Sequence, residues 1–137
     1  MESDPDWEEK RLGELLQVKY GKDHKALPDG GIPVYGTGGV MRHVDRAIHT
    51  GPSILIGRKG TIDRPRFATD PFWTVDTLFY SDISPDFIPF FAFLVVQSVN
   101  WLRYNEATGV PSLSATAIHS VKVQVSLNLE EQQRIAD

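Results

Sequence analysis

Apolar residues recur along this chain with two periods. Phe87, Phe90, Phe91, Leu94, Val95, Val99 and Leu102 follow one another at three- and four-residue steps, the spacing of a helix face, and the pattern runs out near Tyr104. Ser84-Pro85-Asp86 supplies the start, a serine N-cap with proline at the first helical position. This one long helix belongs mostly to the core. Leu12, Leu15 and Leu16, within Trp7 to Val18, predict a short helix or helical turn. The second period is two. Val121, Val123 and Val125 alternate with Lys122 and Gln124, a half-buried strand. Phe72 to Tyr80 reads as another strand, with Trp73, Val75, Thr77 and Phe79 set against Thr74, Asp76, Leu78 and Tyr80.

Shorter signals fill the gaps. Ser53-Ile54-Leu55-Ile56, bounded by Gly51-Pro52 and Gly57, is a continuous apolar run and predicts a buried strand. Gly31 to Tyr35 is a short strand, and Pro33, which cannot donate to a ladder, favours an edge position. Lys19 to Gly31 is a polar loop, and Gly36-Thr37-Gly38-Gly39 is a turn. Ser114 caps a short turn over Ala115 to His119, and Asn128 caps a helix that begins at Leu129. Together these predict a single α+β domain: a small, twisted, mostly antiparallel sheet with one long buried helix and many loops. The last helix is barely begun, so the chain reads as a domain, residues 1–128, followed at 129–137 by the start of a longer helix.

Composition narrows the class. With 137 residues, 41% of them apolar, one packed domain is expected. The absence of cysteine excludes disulfides and thiolate metal sites and suits a cytoplasmic protein. The run Phe87 to Val96 is too short to span a membrane, which takes roughly 20 residues. Met1 to Asp6 is acidic and lacks the apolar core of a signal peptide. Net charge is −4, but residues 40–66 hold Arg42, Arg46, Arg58, Lys59, Arg64 and Arg66 against only Asp45 and Asp63, a local +4. Such a surface is compatible with phosphate contact. A scatter of solvated loop charges is the plainer reading, and charge alone does not choose.

Several elements in order resemble the target recognition domain of type I restriction–modification specificity subunits. They are Trp7 with Leu12-Gly13-Glu14-Leu15, Gly21-Lys22, Gly31 to Gly36 with Gly38-Gly39, and Ile54-Leu55-Ile56-Gly57-Arg58-Lys59-Gly60, the most specific stretch. Phe72-Trp73 with Val75-Asp76-Thr77 follows, then the long apolar helix, Thr108 to Ser114, and Glu131-Gln132 with Arg134-Ile135-Ala136. The likeness covers nearly the whole chain. It departs at Asp63, where the family often has glycine, and before the closing helix, where a proline-rich stretch is usual.

The resemblance implies a reader of DNA with a loop-rich DNA-facing side, no cofactor and no chemistry of its own. Each such domain reads half of a split site in double-stranded DNA. Long helices set the spacing and dock methyltransferase subunits, and through them restriction subunits; a half-length subunit would pair with a second copy of itself. Arg58 and Lys59 become the leading phosphate contacts, because Gly57 and Gly60 let backbone approach a ligand. Arg42, Arg46, Arg64 and Arg66 come next, and the loop residues His43, Thr37 and Thr61 could reach base edges. Without the resemblance, Gly57 to Gly60 is better read as a surface turn; Thr108 to Ser114 stays open between a structural loop and a contact. Glu131, Gln132, Arg134 and Ile135 are expected to face a partner.

Two other classes compete. Asp70-Pro71-Phe72-Trp73 resembles the catalytic loop of DNA amino-methyltransferases, in which an aromatic stacks on a flipped base, so an adenine methyltransferase fragment is the enzyme alternative. Gly36 to Gly39 would be its cofactor turn. Phe72 stands where that loop has proline, and no strand–glycine loop–helix unit surrounds Gly36. Nuclease, hydrolase and metal arrangements are weaker: Glu8-Glu9-Lys10 precedes Pro28-Asp29, no Gly-x-Ser-x-Gly surrounds a serine, and the four histidines lack ligand spacing. A protein–protein scaffold is the third class, favoured by the acidic remainder of the chain.

Overall fold

A computed structural model describes residues 6–137, so Met1 to Pro5 of the acidic start lie outside the described residues. The chain enters through β1 (Trp7–Arg11), a 3-10 turn (Leu12–Glu14) and β2 (Leu16–Lys19). The helical spacing of Leu12, Leu15 and Leu16 is spent on that single turn, and all three side chains are buried. The turn is closed at its start by the Arg11 N–H donating to the Glu14 carboxylate and the Leu12 N–H donating to the Val121 carbonyl. Next come β3 (Asp29–Gly36) and β4 (Gly39–Val44), a hairpin with Thr37-Gly38 at its tip. The remaining strands are β5 (Ser53–Gly57), β6 (Arg66–Ala68), β7 (Trp73–Thr74), β8 (Leu78–Ile83) and β9 (Lys122–Ser126). Three helices, α1 (Pro89–Gln97), α2 (Ala115–Ser120) and α3 (Leu129–Ala136), complete the fold.

The α+β class and the mostly antiparallel pairing stand, but the strands divide among three sheets: β1-β9, β2-β8-β5-β6 and β4-β3-β7. Only β3-β7 pairs in parallel among the described strands. The four-stranded sheet is a wall between two cores. Ile54 and Ile56 of β5 face the larger one, with Leu12, Phe79, Phe91 and Trp101, while Leu55 faces the smaller, with Val34, Phe72 and Leu78. Burial on both faces is why β5 reads as an unbroken apolar run. Two buried serines stitch β5 to β8: the Ser53 hydroxyl donates to the Ser81 carbonyl at 2.7 Å, and the Ser81 hydroxyl donates to the Ile54 carbonyl at 2.8 Å.

Three expectations need correction. The alternation across Phe72 to Tyr80 spans two strands in different sheets, since Thr74 pairs with Tyr35 while Leu78 pairs with Gly57. The strand holding Pro33 lies in the middle of its sheet, yet β7 pairs only with Val34 and Tyr35, so Pro33 has a strand neighbour on one side. The long helix is nine residues, not twenty. A helix begun at Ser84 would put Pro89 in its interior, where the ring removes a hydrogen bond and clashes with the carbonyl four residues earlier. The helix instead starts at Pro89, and Ser84 closes a turn, its hydroxyl accepting from the Asp86 N–H. At the other end the Trp101 indole N–H donates to the Val96 carbonyl at 3.0 Å, and the chain continues as a separate 3-10 turn (Trp101–Tyr104).

Gln132 ties α3 to the rest. It is fully buried; its Oε1 accepts from the Ile88 N–H at 2.8 Å and its Nε2 donates to the Ser126 carbonyl at 2.7 Å. Gln132→Leu leaves both backbone groups without a partner, so denaturant unfolding should show a loss of about 2–4 kcal/mol. A loss under about 0.5 kcal/mol would mean water replaces the amide.

His119 on α2 accepts the Val18 N–H on Nε2 at 3.0 Å, and burial lowers its pKa below the ordinary histidine value. The folded chain therefore holds the neutral ring to lower pH than the unfolded chain does. The stability this contributes is complete above about pH 6.5 and falls as pH drops from there toward the lowered folded value. Urea midpoints of wild type and His119→Asn should converge as pH falls through that window; curves that stay parallel would contradict the assignment.

Candidate nucleic-acid interface

Past the end of β5 the chain is held from two sides. The N–H groups of Arg58 and Lys59 both donate to the Thr77 carbonyl, at 2.8 and 3.2 Å, and Gly60 donates to the Pro111 carbonyl at 2.9 Å. Leu113 in turn donates to the Arg58 carbonyl at 2.9 Å. Thus Gly57 to Gly60 and Thr108 to Ser114 are two parts of one construction. Asn105 and Glu106 brace the second part: Asn105 Oδ1 accepts from Ala107 and Ser112, each at 3.0 Å, and the Glu106 carboxylate accepts from Ser114 at 2.9 Å. The glycines have a different purpose from the one expected. A Cβ on Gly57 would lie 2.0 Å from the Thr61 carbonyl oxygen, so the missing side chain admits the chain's own backbone rather than a ligand. Gly60 has φ +97°, open to glycine and strained for other residues.

The hairpin tip Thr37-Gly38 separates two clefts. One, of about 790 Å³, is lined by His24, Lys25, Met41, Asp76 and others. The second, of about 430 Å³, is lined by Gly60, Thr61, Asp63, Arg64 and Arg66 among others. Arg58 donates to the Asp76 carbonyl at 3.1 Å and lies 5.1 Å from the centroid of the Tyr20 ring. Arg66, on β6, lies 5.2 Å over the Tyr35 ring. Lys59 and Arg64 are exposed. None of these four cations forms an ion pair among the described residues. Thr61 is half-buried in the wall of the second cleft.

The other expected cations lie apart. Arg42 is a brace: its guanidinium donates to the carbonyls of His24 and Leu27 at 3.2 and 2.9 Å and pairs with Asp29 at 2.7 Å. It fastens the loop before β3 to β4. Arg46 follows β4 at the end away from the tip, roughly 17 Å along the strand for five residues, and sits 3.9 Å from Asp45. His43 is exposed on β4, paired in register with Pro33, and is a strand residue rather than a loop residue. Sequence reasoning gave no part in the site to Tyr20, Tyr35, Asn105 or Glu106; the two tyrosines meet arginines remote in sequence, while Asn105 and Glu106 brace a loop within eight residues of themselves.

At the far side of the domain, Glu131 accepts from the Trp7 indole N–H at 2.8 Å and Gln132 is buried. Of the four residues expected to face a partner, these two are turned inward; Arg134 and Ile135 are exposed. The methyltransferase-like stretch is also internal. Phe72 is 0% exposed and Trp73 9%, the latter donating its indole N–H to the Lys22 carbonyl. Gly36 to Gly39 leads into a strand, not a helix.

Solved structures share this architecture. The type I restriction-modification system S subunit from M. genitalium superposes with TM-score 0.83 at 15% identity, covering 99% of this chain and 39% of that one. A chain of a type I R-M system solved for its complex assembly and conformational transition gives 0.75 at 16% identity, covering 99% and 38%. The HsdS subunit from Thermoanaerobacter tengcongensis gives 0.72 at 14% identity, covering 99% and 37%. The chain thus spans under two-fifths of the length of each. No curated protein matches it. The family model of the type I restriction modification DNA specificity domain matches residues 5–137, and the chain belongs to that family.

Proposed function

We propose that this chain reads one half of a split duplex site, and that its DNA-facing surface is the rim around Thr37-Gly38. The observation that carries the reading is the set of four cations without ion pairs among the described residues, Arg58, Lys59, Arg64 and Arg66, gathered beside the two clefts. Thr61 belongs to the same rim, with His43 and Arg46 as outlying contacts and Arg42 as the residue that keeps the hairpin in place. Unpaired cations at a cleft favour phosphates, whose neutralisation releases counterions.

The partners follow from the family and stay part of the proposal. Methyltransferase subunits, and restriction subunits through them, would carry out methyl transfer and cleavage in the cytoplasm. Residues 1–128 form the reading domain, and α3 begins the partner-binding helix, with Arg134, Ile135 and Leu129 on its exposed side. A half-length protein would supply the second reading domain from a second copy. The adenine methyltransferase alternative lacks support, because the aromatic in its stacking position, Trp73, is buried with its indole N–H bonded to the Lys22 carbonyl. The scaffold alternative gives no reason for four cations without carboxylate partners among the described residues.

The double substitution Arg58→Ala with Lys59→Ala should weaken duplex binding about 10- to 100-fold at moderate salt while the circular dichroism spectrum is kept. Binding of the chain together with its methyltransferase is the fair assay; equal affinity for wild type and double variant would sink the assignment of this rim. Titration of the chain with S-adenosylmethionine should give no saturable signal, and a saturable one would restore the enzyme reading.

A further inference from the structure

We propose that Arg58 and Arg66 read guanine bases, that Lys59 and Arg64 hold phosphates, and that Tyr20 and Tyr35 impose this division as positioning residues. The inference rests on the DNA reading above.

Guanine presents O6 and N7 to the major groove, and a guanidinium meets both only if its N–H pair arrives at a set spacing and orientation. A fork held in place before binding loses less freedom on contact. A phosphate asks for charge and tolerates a mobile side chain. The four cations differ on just this point. The Arg58 guanidinium lies on the Tyr20 ring and gives one of its N–H donors to the Asp76 carbonyl, leaving other donors for a ligand. Tyr20 is in turn set edge-on against Phe79, centroids 5.2 Å apart, and Phe79 is fully buried. Arg66, on β6, repeats the construction with a tyrosine of the second sheet: it lies on Tyr35 of β3, which is set edge-on against the fully buried Phe72 at 6.3 Å. Each guanidinium is therefore referenced to a core phenylalanine through one tyrosine. Lys59 and Arg64 have no ring contact or ion pair among the described residues.

Placement agrees with this division. Arg66 lines the smaller cleft, and Arg58 is bonded to Asp76, which lines the larger. The two braced forks thus flank the tip of the β3–β4 hairpin, the part of that sheet beyond the reach of β7. Among the described residues neither fork is neutralised: Arg58 engages a backbone carbonyl rather than a carboxylate.

The test is selection from randomised duplexes, then titration of the selected site across salt, with the chain bound to its methyltransferase. Wild type should select guanine at two or more positions. Arg58→Lys and Arg66→Lys keep the charge and lose the fork; each should relax a different guanine position by about 5- to 150-fold and leave the salt slope unchanged. Lys59→Ala and Arg64→Ala should weaken all sequences alike and flatten the slope by about one each. Tyr20→Leu and Tyr35→Leu should relax the same position as their own arginine, while Tyr20→Phe and Tyr35→Phe keep the ring and the preference. Melting curves identify any variant that unfolds, and for those the phenylalanine and lysine variants decide. The proposal is overturned if the two lysine variants select the wild-type sequence, or if they flatten the salt slope as Lys59→Ala does. A wild type with no sequence preference at all would overturn the DNA reading itself, a distinct result.

Discussion

The cationic rim depends on the clamping of residues 58–61 between Thr77 and the Pro111–Leu113 segment. Four backbone hydrogen bonds do the clamping, worth about 4 kcal/mol together. Ordering four residues costs about 4–8 kcal/mol, so the bonds alone do not hold the loop. The balance comes from its flanks: Ile62 and Leu113 are 1% and 3% exposed, and each such burial contributes about 2 kcal/mol. The loop is rigid because hydrophobic residues on both sides are sunk in the larger core. The backbone N–H groups of Arg58 and Lys59 are taken up by Thr77, and the two side chains stay out of that core, Arg58 half-buried and Lys59 exposed. Were the loop free, its cations would give affinity without register; fixed, they can meet a duplex in one way.

Much of the secondary structure was legible where an element has one buried face or a clear cap. Val121, Val123 and Val125 put β9 in its place, Ser114 and Asn128 cap α2 and α3 through the bonds their side chains accept, and the apolar run at Ile54 to Ile56 is a strand buried on both sides. What misled was pattern without punctuation. The 3.6-residue period ran through Pro89 and through Trp101, and only the proline's steric rule and a tryptophan indole reaching back to Val96 end the helix where it ends. The period-two pattern likewise ran through the turn between Trp73 and Leu78, since alternation continues across a change of sheet. The helix ends are set by local sterics at Pro89 and a bond reaching five residues back, whereas the strand break is set by pairing with two different sheets.

The candidate site was half legible. The density of cations between residues 40 and 66 is a local property and can be counted, but whether each cation is free is not. Arg42 meets Asp29 and the carbonyls of the loop before it only once β3 and β4 pair, and Arg58 meets Tyr20 only because β2 and β5 both pair with β8. The same non-local pairing joins Gly57 to Gly60 with Thr108 to Ser114, so a loop left open between two roles becomes the support of the other. Sequence shows which residues carry charge; tertiary pairing decides which of them spend it internally.

The net charge of −4 argues less against DNA than its sign suggests. At physiological ionic strength the screening length is about 8 Å, so a phosphate at the rim feels the nearby cations and the cleft carboxylates Asp63 and Asp76, and little of the acids elsewhere. Many of those acids, Glu8, Glu9, Glu14, Glu130 and Glu131, lie on β1, its following turn and α3, none of which pairs with the sheets that carry Arg58 and Arg66. Their effect is directional. A domain basic on all sides would bind a duplex in many orientations, and most would place no side chain at a base edge. On the proposed reading, an acidic body with a cationic rim favours approach by that rim, and reading bases requires that the phosphate contacts fix one register before any edge is met. The acidity that looks like an objection is then a constraint on docking, paired with the rigid loop that makes the docking informative.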